Sequence, residues 1–397
     1  MTRIRKALIV GAGIAGPVAA LALRRAGIDS VVYEARPRSG DGVGAMLAIA
    51  PNGLAALKLL GADRALQALG QPIRTMVMTD GRGKRIGEIP GLAGLPPNWV
   101  VDRVEFGRAL REQAVAKGIR FEHGKRLLDA DETSAAVTAR FDDGSAAIGD
   151  VLIGADGIHS VVRKLIDPNA PDPVRVPLLN FGGVADIPVA ARPDAMYFVF
   201  GDRGFFGYWL QPDGRTAWFS NLPSATLMTS AEARAVPADE WLRRLRGAYM
   251  HDEPARVLLQ HTAADRLVVL GSMEMMPTLP HWHRGRMVLV GDSAHAPSSS
   301  SGQGASLAIE SAIELARCLR DVPDVGDAFV AFERHRRVRV EQVAARAAKT
   351  NQSKTLGPVA RTLMRLLMPV AMRTFMDPER TLGAEQRYRI EWSEVVA

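Results

Sequence analysis

A glycine-rich turn between two apolar runs constrains this chain more than any other feature. Residues 7–10 are apolar, the sequence GAGIAG follows, and after a helix-type segment a second apolar run occupies residues 30–33. This order is typical of a βαβ nucleotide-binding unit. Gly11 allows the tight turn, Gly13 lets backbone amides approach a pyrophosphate, and Gly16 lets helix and strand pack closely. The sequence therefore predicts a dinucleotide site where the first helix begins.

An acidic residue at the end of the second apolar run supports this prediction. Glu34 stands eighteen residues after Gly16, where its carboxylate can accept hydrogen bonds from ribose hydroxyls. The acid suits NAD or FAD, whereas Arg36 and Arg38 could contact the 2′-phosphate of NADP. Gly27 indicates the C-terminal end of the intervening helix. The spacing alone leaves the identity of the dinucleotide open.

Composition limits the classes of protein that remain. The chain has 397 residues, 47% of them hydrophobic and 23% charged, which is typical of a globular protein with two domains. No apolar run approaches the roughly 20 residues of a membrane span, and the short run at residues 7–10 predicts a strand and not a signal peptide. The single cysteine, Cys318, excludes an intrachain disulfide and indicates a cytoplasmic location. We predict no metal site.

The basic residues do not indicate nucleic-acid binding. The net charge of +7 is spread along the chain, and no aromatic residues alternate with the basic ones to stack bases. The densest group, Arg334, Arg336, Arg337 and Arg339, is interpreted as a solvated helix face.

Two further segments repeat the order of strand, glycine-containing loop and helix. The first is VLIGADGIHSVVR, in which Asp156 could hold backbone amides of the first loop or a ligand hydroxyl. The second follows a strand that ends at Asp292, and its loop carries Gly302 and Gly304 before a helix over residues 307–319. The N-terminus of such a helix can stabilise negative charge on the pyrimidine end of a flavin.

Arg103 occupies an unusual position. It lies in the first turn of a helix predicted to open at residues 101–106, where cations are disfavoured. Either an anionic ligand such as a cofactor phosphate neutralises it, or it is an ordinary surface arginine.

Residues 73–97 and 171–283 have a different character from the rest of the chain. Short strands separated by Gly and Pro turns predict a β-sheet, antiparallel over 171–283, that carries much of the aromatic content. Most of these aromatic side chains should form the core of the sheet, and the others an apolar pocket for a flat ligand. The candidate substrate-binding residues are Tyr197, Phe206, Tyr208, Trp218, Met273 and Met275.

Three segments together resemble the fingerprints of the class A flavoprotein monooxygenases, the para-hydroxybenzoate hydroxylase family. They are GAGIAG with Glu34, GADGIHSVVR at 154–163 and GDSAHAPSSSSGQGAS at 291–306. The resemblance implies an α/β fold with a Rossmann-like FAD-binding domain, a second, antiparallel β-sheet substrate domain and C-terminal helices. We predict an FAD-binding domain from 1–72, 98–170 and 284–349, a substrate domain from 73–97 and 171–283, and a C-terminal helical segment at 350–397.

The resemblance also implies FAD as cofactor, with NADPH or NADH as a transient reductant. By position, Glu34 would bind the adenosine ribose, Arg103 the phosphates and Asp292 the ribityl chain, and the family's DG motif implicates Asp156 in FAD and NAD(P)H binding. The family commonly has a proline where Ser299 stands. The implied cofactor-binding residues are Gly11, Gly13, Ile14, Ala15, Gly16, Glu34, Gly44, Arg103, Leu127, Asp156, Gly291, Asp292, Gly302, Gly304 and Ala305.

The implied reaction is hydroxylation or epoxidation of an aromatic or polycyclic small molecule by dioxygen through a flavin hydroperoxide, in a monomer or homodimer. No catalytic acid or base can be named. A disulfide reductase would need a second GxGxxG segment and a cysteine pair, and a flavin halogenase a WxWxIP motif, all of which are absent from the sequence. Another flavin oxidoreductase and a non-catalytic flavin-binding protein stay open as alternatives.

Overall fold

A mostly parallel six-stranded sheet forms one of the two large layers of the protein. The computed structural model describes residues 4–37, 46–354 and 377–396. In spatial order the strands of this sheet are β18 (His283–Arg284), β19 (Met287–Leu289), β12 (Val151–Gly154), β1 (Lys6–Val10), β2 (Asp29–Glu34) and β8 (Arg120–His123). Neighbouring strands are parallel except β18 and β19. The carboxyl ends of β1, β12 and β19 therefore meet at one edge, where ligands bind in open α/β sheets.

A seven-stranded sheet forms the second layer, and it is antiparallel except for one pair. Its strands, in spatial order, are β17 (Val268–Met275), β13 (Val174–Ala185), β16 (Thr216–Pro223), β15 (Phe205–Leu210), β14 (Ala195–Phe200), β5 (Thr75–Asp80) and β6 (Arg85–Pro90). Only β14 and β5 run parallel. The predicted combination of a Rossmann-like layer with an antiparallel sheet is confirmed, while the division into domains at the boundaries given above stays a prediction.

Two small antiparallel sheets and a set of helices complete the described structure. The small sheets contain β3 (Met46–Ile49), β7 (Asn98–Asp102) and β4 (Gln71–Ile73), and β11 (Ala146–Gly149), β10 (Val137–Phe141) and β9 (Leu127–Glu132). The helices are α1 (Ala15–Arg25), α2 (Pro51–Leu59), α3 (Asp63–Leu69), α4 (Arg103–Ala116), α5 (Val161–Ile166), α6 (Ser230–Ala235), α7 (Ala238–Ala248), α8 (Ala255–Gln260), α9 (Gly304–Asp321), α10 (Val325–Lys354) and α11 (Pro378–Gln386). None of them is long and apolar enough to cross a bilayer.

The helix predicted to open at residues 101–106 begins two residues later. Val101 and Asp102 belong to β7, and the Asp102 carboxylate accepts hydrogen bonds from the N–H groups of Val104 (2.8 Å) and Glu105 (2.9 Å). An aspartate that satisfies these otherwise unpaired N–H groups fixes the start of α4. Arg103 is thus the first residue of the helix.

The interpretation of the arginine group as a solvated face is wrong for two of its members. Arg336 is fully buried in α10 and donates to Glu310 Oε2 of α9 at 2.7 Å. Arg339 donates to both oxygens of the same carboxylate at 2.9 Å. Burial by itself raises the pKa of Glu310, but the two guanidinium groups more than offset it and the pKa is lowered. The arginines therefore attach the long α10 helix to α9.

Replacing Glu310 with alanine tests this attachment. Because Glu310→Ala leaves the buried Arg336 without its counter-charge, we expect the free energy of unfolding to fall by about 3–5 kcal/mol. Urea denaturation measures the loss. The control is Glu112→Ala, which removes an exposed carboxylate that pairs with Arg108 at 3.6 Å and should change stability by less than about 0.5 kcal/mol. Equal losses in the two variants would contradict the assignment.

Candidate active site

The first glycine turn is closely packed at two positions and open at the third. A side chain at Gly11, where φ is +103°, would overlap the carbonyl of Ala155, and one at Gly16 would overlap the carbonyl of Gly11. Gly13 is different, since a Cβ there would meet no atom of the described residues within 4 Å. The space beside Gly13 adjoins the start of α1, which has no side-chain cap and no acid in its first turn. Free N–H groups next to open space form a ready anion site.

Glu34 connects the end of β2 to this turn. Its two oxygens accept hydrogen bonds from the N–H groups of Ala12 (2.8 Å) and Arg36 (3.0 Å). A carboxylate has lone pairs beyond these two, so Glu34 can hold the turn and still accept from a ligand hydroxyl. Leu127, a predicted site residue, is buried at the start of β9, two residues after Lys125, whose N–H donates to the Glu34 carbonyl at 2.8 Å.

Arg103 and Asp292 are brought close enough to interact electrostatically. Arg103 is exposed, and Asp292 is half-buried in a 3₁₀ turn at Gly291–Ser293. Burial raises the pKa of the Asp292 carboxyl, and the positive charge of Arg103 partly opposes this effect. Within the described residues no group donates a hydrogen bond to the Asp292 side chain. Asp292 is therefore an acceptor that is available to a ligand.

A residue that the sequence reasoning did not single out, Arg111, lies on the same face of α4 as Arg103. Its Nη1 donates to the Ala12 carbonyl at 3.3 Å, and its buried Nη2 has no partner in the described part of the chain. Between the two arginines, a Cβ at Gly107 would lie 3.3 Å from Arg111 Nη1 and 3.7 Å from Ile14 Cδ1. The spacing of four residues from Arg103 to Gly107 to Arg111 was the signal that could have identified this face.

The second motif is used mainly for structure. The Asp156 carboxylate accepts from Ser160 Oγ (2.5 Å), Val161 N (2.8 Å) and Val162 N (3.2 Å), so it holds the start of α5 and not the amides of the first loop. The buried Arg163 donates to the Ser293 carbonyl at 3.2 Å. The second motif is thereby joined to the third.

Gly291 in the third motif allows two helices to meet. Its φ is +66°, and a Cβ there would lie only 3.0 Å from Ala15 Cβ and 3.1 Å from Ala308 Cβ. These alanines belong to α1 and α9, so the first turns of both helices approach the same edge of the six-stranded sheet. The predicted residues Ile14, Ala15 and Gly291 are all buried at this meeting point.

The serine-rich loop leads into an uncapped helix. Ser299–Ser301 form a 3₁₀ turn that ends at Gly302 with φ +61°, and α9 begins at Gly304 without a side-chain cap. Among the residues that the structure describes, a Cβ at Gly304 would meet only Pro297 Cγ, at 3.9 Å. Gly304 and Ala305 are half-buried, so the first N–H groups of α9 can reach a ligand.

Buried polar groups fix this loop from behind. Asn52 at the start of α2 donates to Gln303 Oε1 (3.0 Å) and to Glu310 Oε1 (2.7 Å). His295 Nε2 lies 2.9 Å from Ser311 Oγ. Burial, with the nearby Arg336 charge, lowers the pKa of His295 to about 3. The imidazole is therefore neutral at physiological pH and serves as a structural partner.

The candidate substrate residues on the strands β14, β15 and β16 lie on the helix-covered face of the seven-stranded sheet. Trp218 stacks on Phe206 (centroids 5.3 Å apart) and donates its indole N–H to Thr262 Oγ1 at 2.9 Å. Tyr197 stacks on Tyr208 at 4.9 Å. These side chains pack with the core beneath α7 and α8. The structure does not bring them together with the serine-rich loop.

The opposite face of the sheet is linked to that loop through Lys354. Phe205 packs against Phe198 (5.5 Å) and Phe219 (6.0 Å). Lys354, the last residue of α10, lies above the Phe205 ring at 4.2 Å and donates to Ser300 Oγ at 2.9 Å. We call the surface formed by Phe198, Phe205, Phe219 and Asn221 the aromatic face.

The last two predicted substrate-binding residues, Met273 and Met275, lie on β17. Met273 is buried and Met275 is half-buried. The next residue, Met276, donates its N–H to the Ala296 carbonyl at 2.9 Å, which brings the end of β17 to the third motif. Gly44 lies outside the described residues.

Comparison with known proteins identifies the family. Residues 5–347 match the family model described as FAD binding domain. The chain belongs to the class A FAD-dependent monooxygenases. It is 30% identical over 353 residues to the FAD-dependent urate hydroxylase of Klebsiella pneumoniae, covering 87% of this chain and 89% of the relative. It is 31% identical over 358 residues to the 3-amino-4-hydroxybenzoate 2-monooxygenase of Streptomyces cremeus, covering 86% and 85%.

A solved structure shares the architecture of this monooxygenase. Klebsiella pneumoniae HpxO, crystallised with FAD and uric acid, superposes with a TM-score of 0.84 and 25% identity over 96% of both chains. FAD is the cofactor of this monooxygenase, as predicted. The residues present fit it: open space at Gly13 beside an uncapped helix suits a pyrophosphate, and the free Asp292 carboxylate suits hydroxyl groups.

Filling the space beside Gly13 should weaken FAD binding without unfolding the monooxygenase. We expect Gly13→Leu to weaken FAD binding at least tenfold, because the side chain occupies the pyrophosphate position, with little change in the melting temperature of the FAD-free protein. Fluorescence titration with FAD measures the affinity. Gly247→Leu is the matched control, since Gly247 is another exposed glycine whose Cβ would meet nothing within 4 Å. Unchanged FAD affinity in Gly13→Leu would refute the placement.

Proposed function

We propose that this monooxygenase uses NADPH or NADH and dioxygen to hydroxylate a small aromatic or heteroaromatic compound. The observation that carries the proposal is the position of Lys354, which contacts both the aromatic face and the serine-rich loop that leads into the uncapped α9 N-terminus. A reactive group held at α9 and a flat ring held on the aromatic face would be neighbours.

The adenosine and pyrophosphate end of FAD is assigned to the first motif and α4. The N–H groups at the start of α1 receive the pyrophosphate beside Gly13, and Glu34 accepts from the ribose. Arg103 and Arg111 supply positive charge from one face of α4. This arrangement explains why a cation at the start of α4 is tolerated, since the ligand phosphates offset the unfavourable helix dipole.

The flavin end is assigned to the third motif. Asp292 accepts from ribityl hydroxyls, and the loop from Gly302 to Ala305 lies along the ring system. When bound, FAD supplies the redox chemistry, taking electrons from NAD(P)H and activating dioxygen. The N–H groups of α9 would stabilise negative charge at the pyrimidine end, and the buried Phe205 with the half-buried Phe198 and Phe219 would exclude water.

The substrate is assigned to the aromatic face and not to Phe206, Tyr208 and Trp218. Named relatives act on urate and on 3-amino-4-hydroxybenzoate, which are small planar rings that carry oxygen substituents. A ring of this kind could pack on Phe205 and Phe219, next to the Lys354 ammonium group that binds Ser300. His295 is neutral and enclosed, so we assign it no proton transfer.

The purified protein should be yellow and should oxidise NADPH or NADH in air. We expect one member of a panel of phenols, aromatic acids and purines to accelerate that oxidation and to gain one oxygen atom, which carries the label when ¹⁸O₂ is supplied. Absorbance, reductant consumption, hydrogen peroxide and product mass are measured together. Flavin that is retained but never reduced by either nucleotide would reject the proposal.

A matched pair of variants distinguishes the two faces of the sheet. We expect Phe219→Leu to raise the KM for the substrate about three- to tenfold, because one aromatic contact of about 0.5–1.5 kcal/mol is lost. Phe206→Leu, on the helix-covered face, should instead lower stability by about 1 kcal/mol and leave the KM unchanged. Steady-state kinetics and thermal melting measure both. If Phe206→Leu raised the KM and Phe219→Leu did not, the substrate site would instead be assigned to the face that carries Phe206.

A further inference from the structure

Lys354, at the end of the long helix α10, lies between the seven-stranded sheet and the serine-rich loop. Lys354 Nζ donates to Asn221 Oδ1 at 2.7 Å and to Ser300 Oγ at 2.9 Å. It also lies 4.2 Å from the centroid of the Phe205 ring. These contacts place one ammonium group against both the aromatic face and the loop assigned to the flavin.

The position of Nζ is fixed by the polar residues of the sheet. Asn221 pairs with Phe205 across β15 and β16, so both side chains are on the aromatic face. Asn221 Nδ2 donates to Asn180 Oδ1 at 2.6 Å. This hydrogen bond fixes the orientation of the Asn221 amide, so that its oxygen faces Lys354. The ammonium group is therefore held at one edge of the apolar surface.

The charge of Lys354 is not neutralised by the part of the chain that the structure describes. Two arginines of the same helix, the buried Arg336 and the half-buried Arg339, both bind Glu310. Lys354 has only neutral partners among residues 4–37, 46–354 and 377–396. Burial lowers its pKa to about 7. An anion placed against Nζ would favour the charged form again, since an opposite charge offsets the cost of desolvation.

We propose that Lys354 is a specificity-determining residue that binds an anionic oxygen of the aromatic substrate. This oxygen belongs either to a carboxylate or to an ionised oxygen substituent of the ring. This inference rests on the proposed function, because it places the substrate ring on the aromatic face. The ring packs against Phe205 and Phe219 while its anionic oxygen accepts from Nζ. A neutral compound of the same shape leaves the ammonium group without a counter-charge and binds less tightly.

The test compares an anionic and a neutral probe of one shape and adds a second anion of different shape. 4-Hydroxybenzoate carries a carboxylate where 4-hydroxybenzamide carries a neutral amide, and urate is an anion whose charge is shared by the oxygen substituents of its ring system. Binding is followed by flavin absorbance and, independently of the flavin, by tryptophan fluorescence. We expect the wild-type protein to bind 4-hydroxybenzoate or urate at least tenfold more tightly than the amide. If urate binds tightly and 4-hydroxybenzoate does not, the group that Lys354 binds is an ionised oxygen substituent of the ring and not a carboxylate.

Variants assign the preference to one side chain. Lys354→Met and Lys354→Gln should each remove it, and Lys354→Arg should retain most of it, because the positive charge is kept. Lys349→Met is the matched control, since Lys349 is an exposed lysine of the same helix, and it should leave the preference unchanged. Circular dichroism and melting temperature establish that each variant is folded, with Lys354→Gln as the milder substitution.

The outcomes separate the inference from the proposed function. A preference for anions that persists in both neutral variants, or that is absent from the wild-type protein, overturns the role of Lys354. Weaker FAD binding in Lys354→Gln with the anion preference intact would assign the lysine to the flavin and also overturn it. A wild-type protein that retains no FAD would instead reject the proposed function, while the fluorescence titration still reports on Lys354.

Discussion

The approach of α1 to α9 at Gly291 is the constraint on which the rest of the site depends. Only a residue without a side chain lets Ala15 and Ala308 come this close to the turn after β19. As a result two uncapped helix N-termini open at the carboxyl edge of the six-stranded sheet. One can hold the pyrophosphate end and the other the flavin end of an elongated dinucleotide.

A buried polar network keeps the second of these helix ends in place. Glu310 lies between α9 and α10, where it accepts from Asn52, Arg336 and Arg339. Asn52 also donates to Gln303, the residue just before α9. Removing several charges from water costs free energy, and the network offsets this cost only when every partner is present. The serine-rich loop and α10 are therefore positioned by the same carboxylate, and α10 places Lys354 against the aromatic face.

The seven-stranded sheet is apolar on both of its faces, and the two faces serve different purposes. Phe206, Tyr208 and Trp218 form the core beneath the helices, whereas Phe205 and Phe219 lie on the opposite face, which Lys354 links to the serine-rich loop. Successive residues of a strand point in opposite directions. Gly207 has no side chain, so the Phe219 ring lies over the strand at this position.

The sequence by itself determined the family, the cofactor and the order of the three motifs, because glycine spacing and strand-end acids act over short stretches of chain. It could not determine which face of the seven-stranded sheet lies towards the serine-rich loop, since both alternating sets of side chains on β15 are apolar and contacts with helices distant in sequence decide which face is covered. It also missed Arg111 and Lys354, and it assigned Arg336 to solvent. These residues acquire their roles from contacts with Ala12, Ser300 and Glu310, distant in sequence, which only the tertiary structure brings to them.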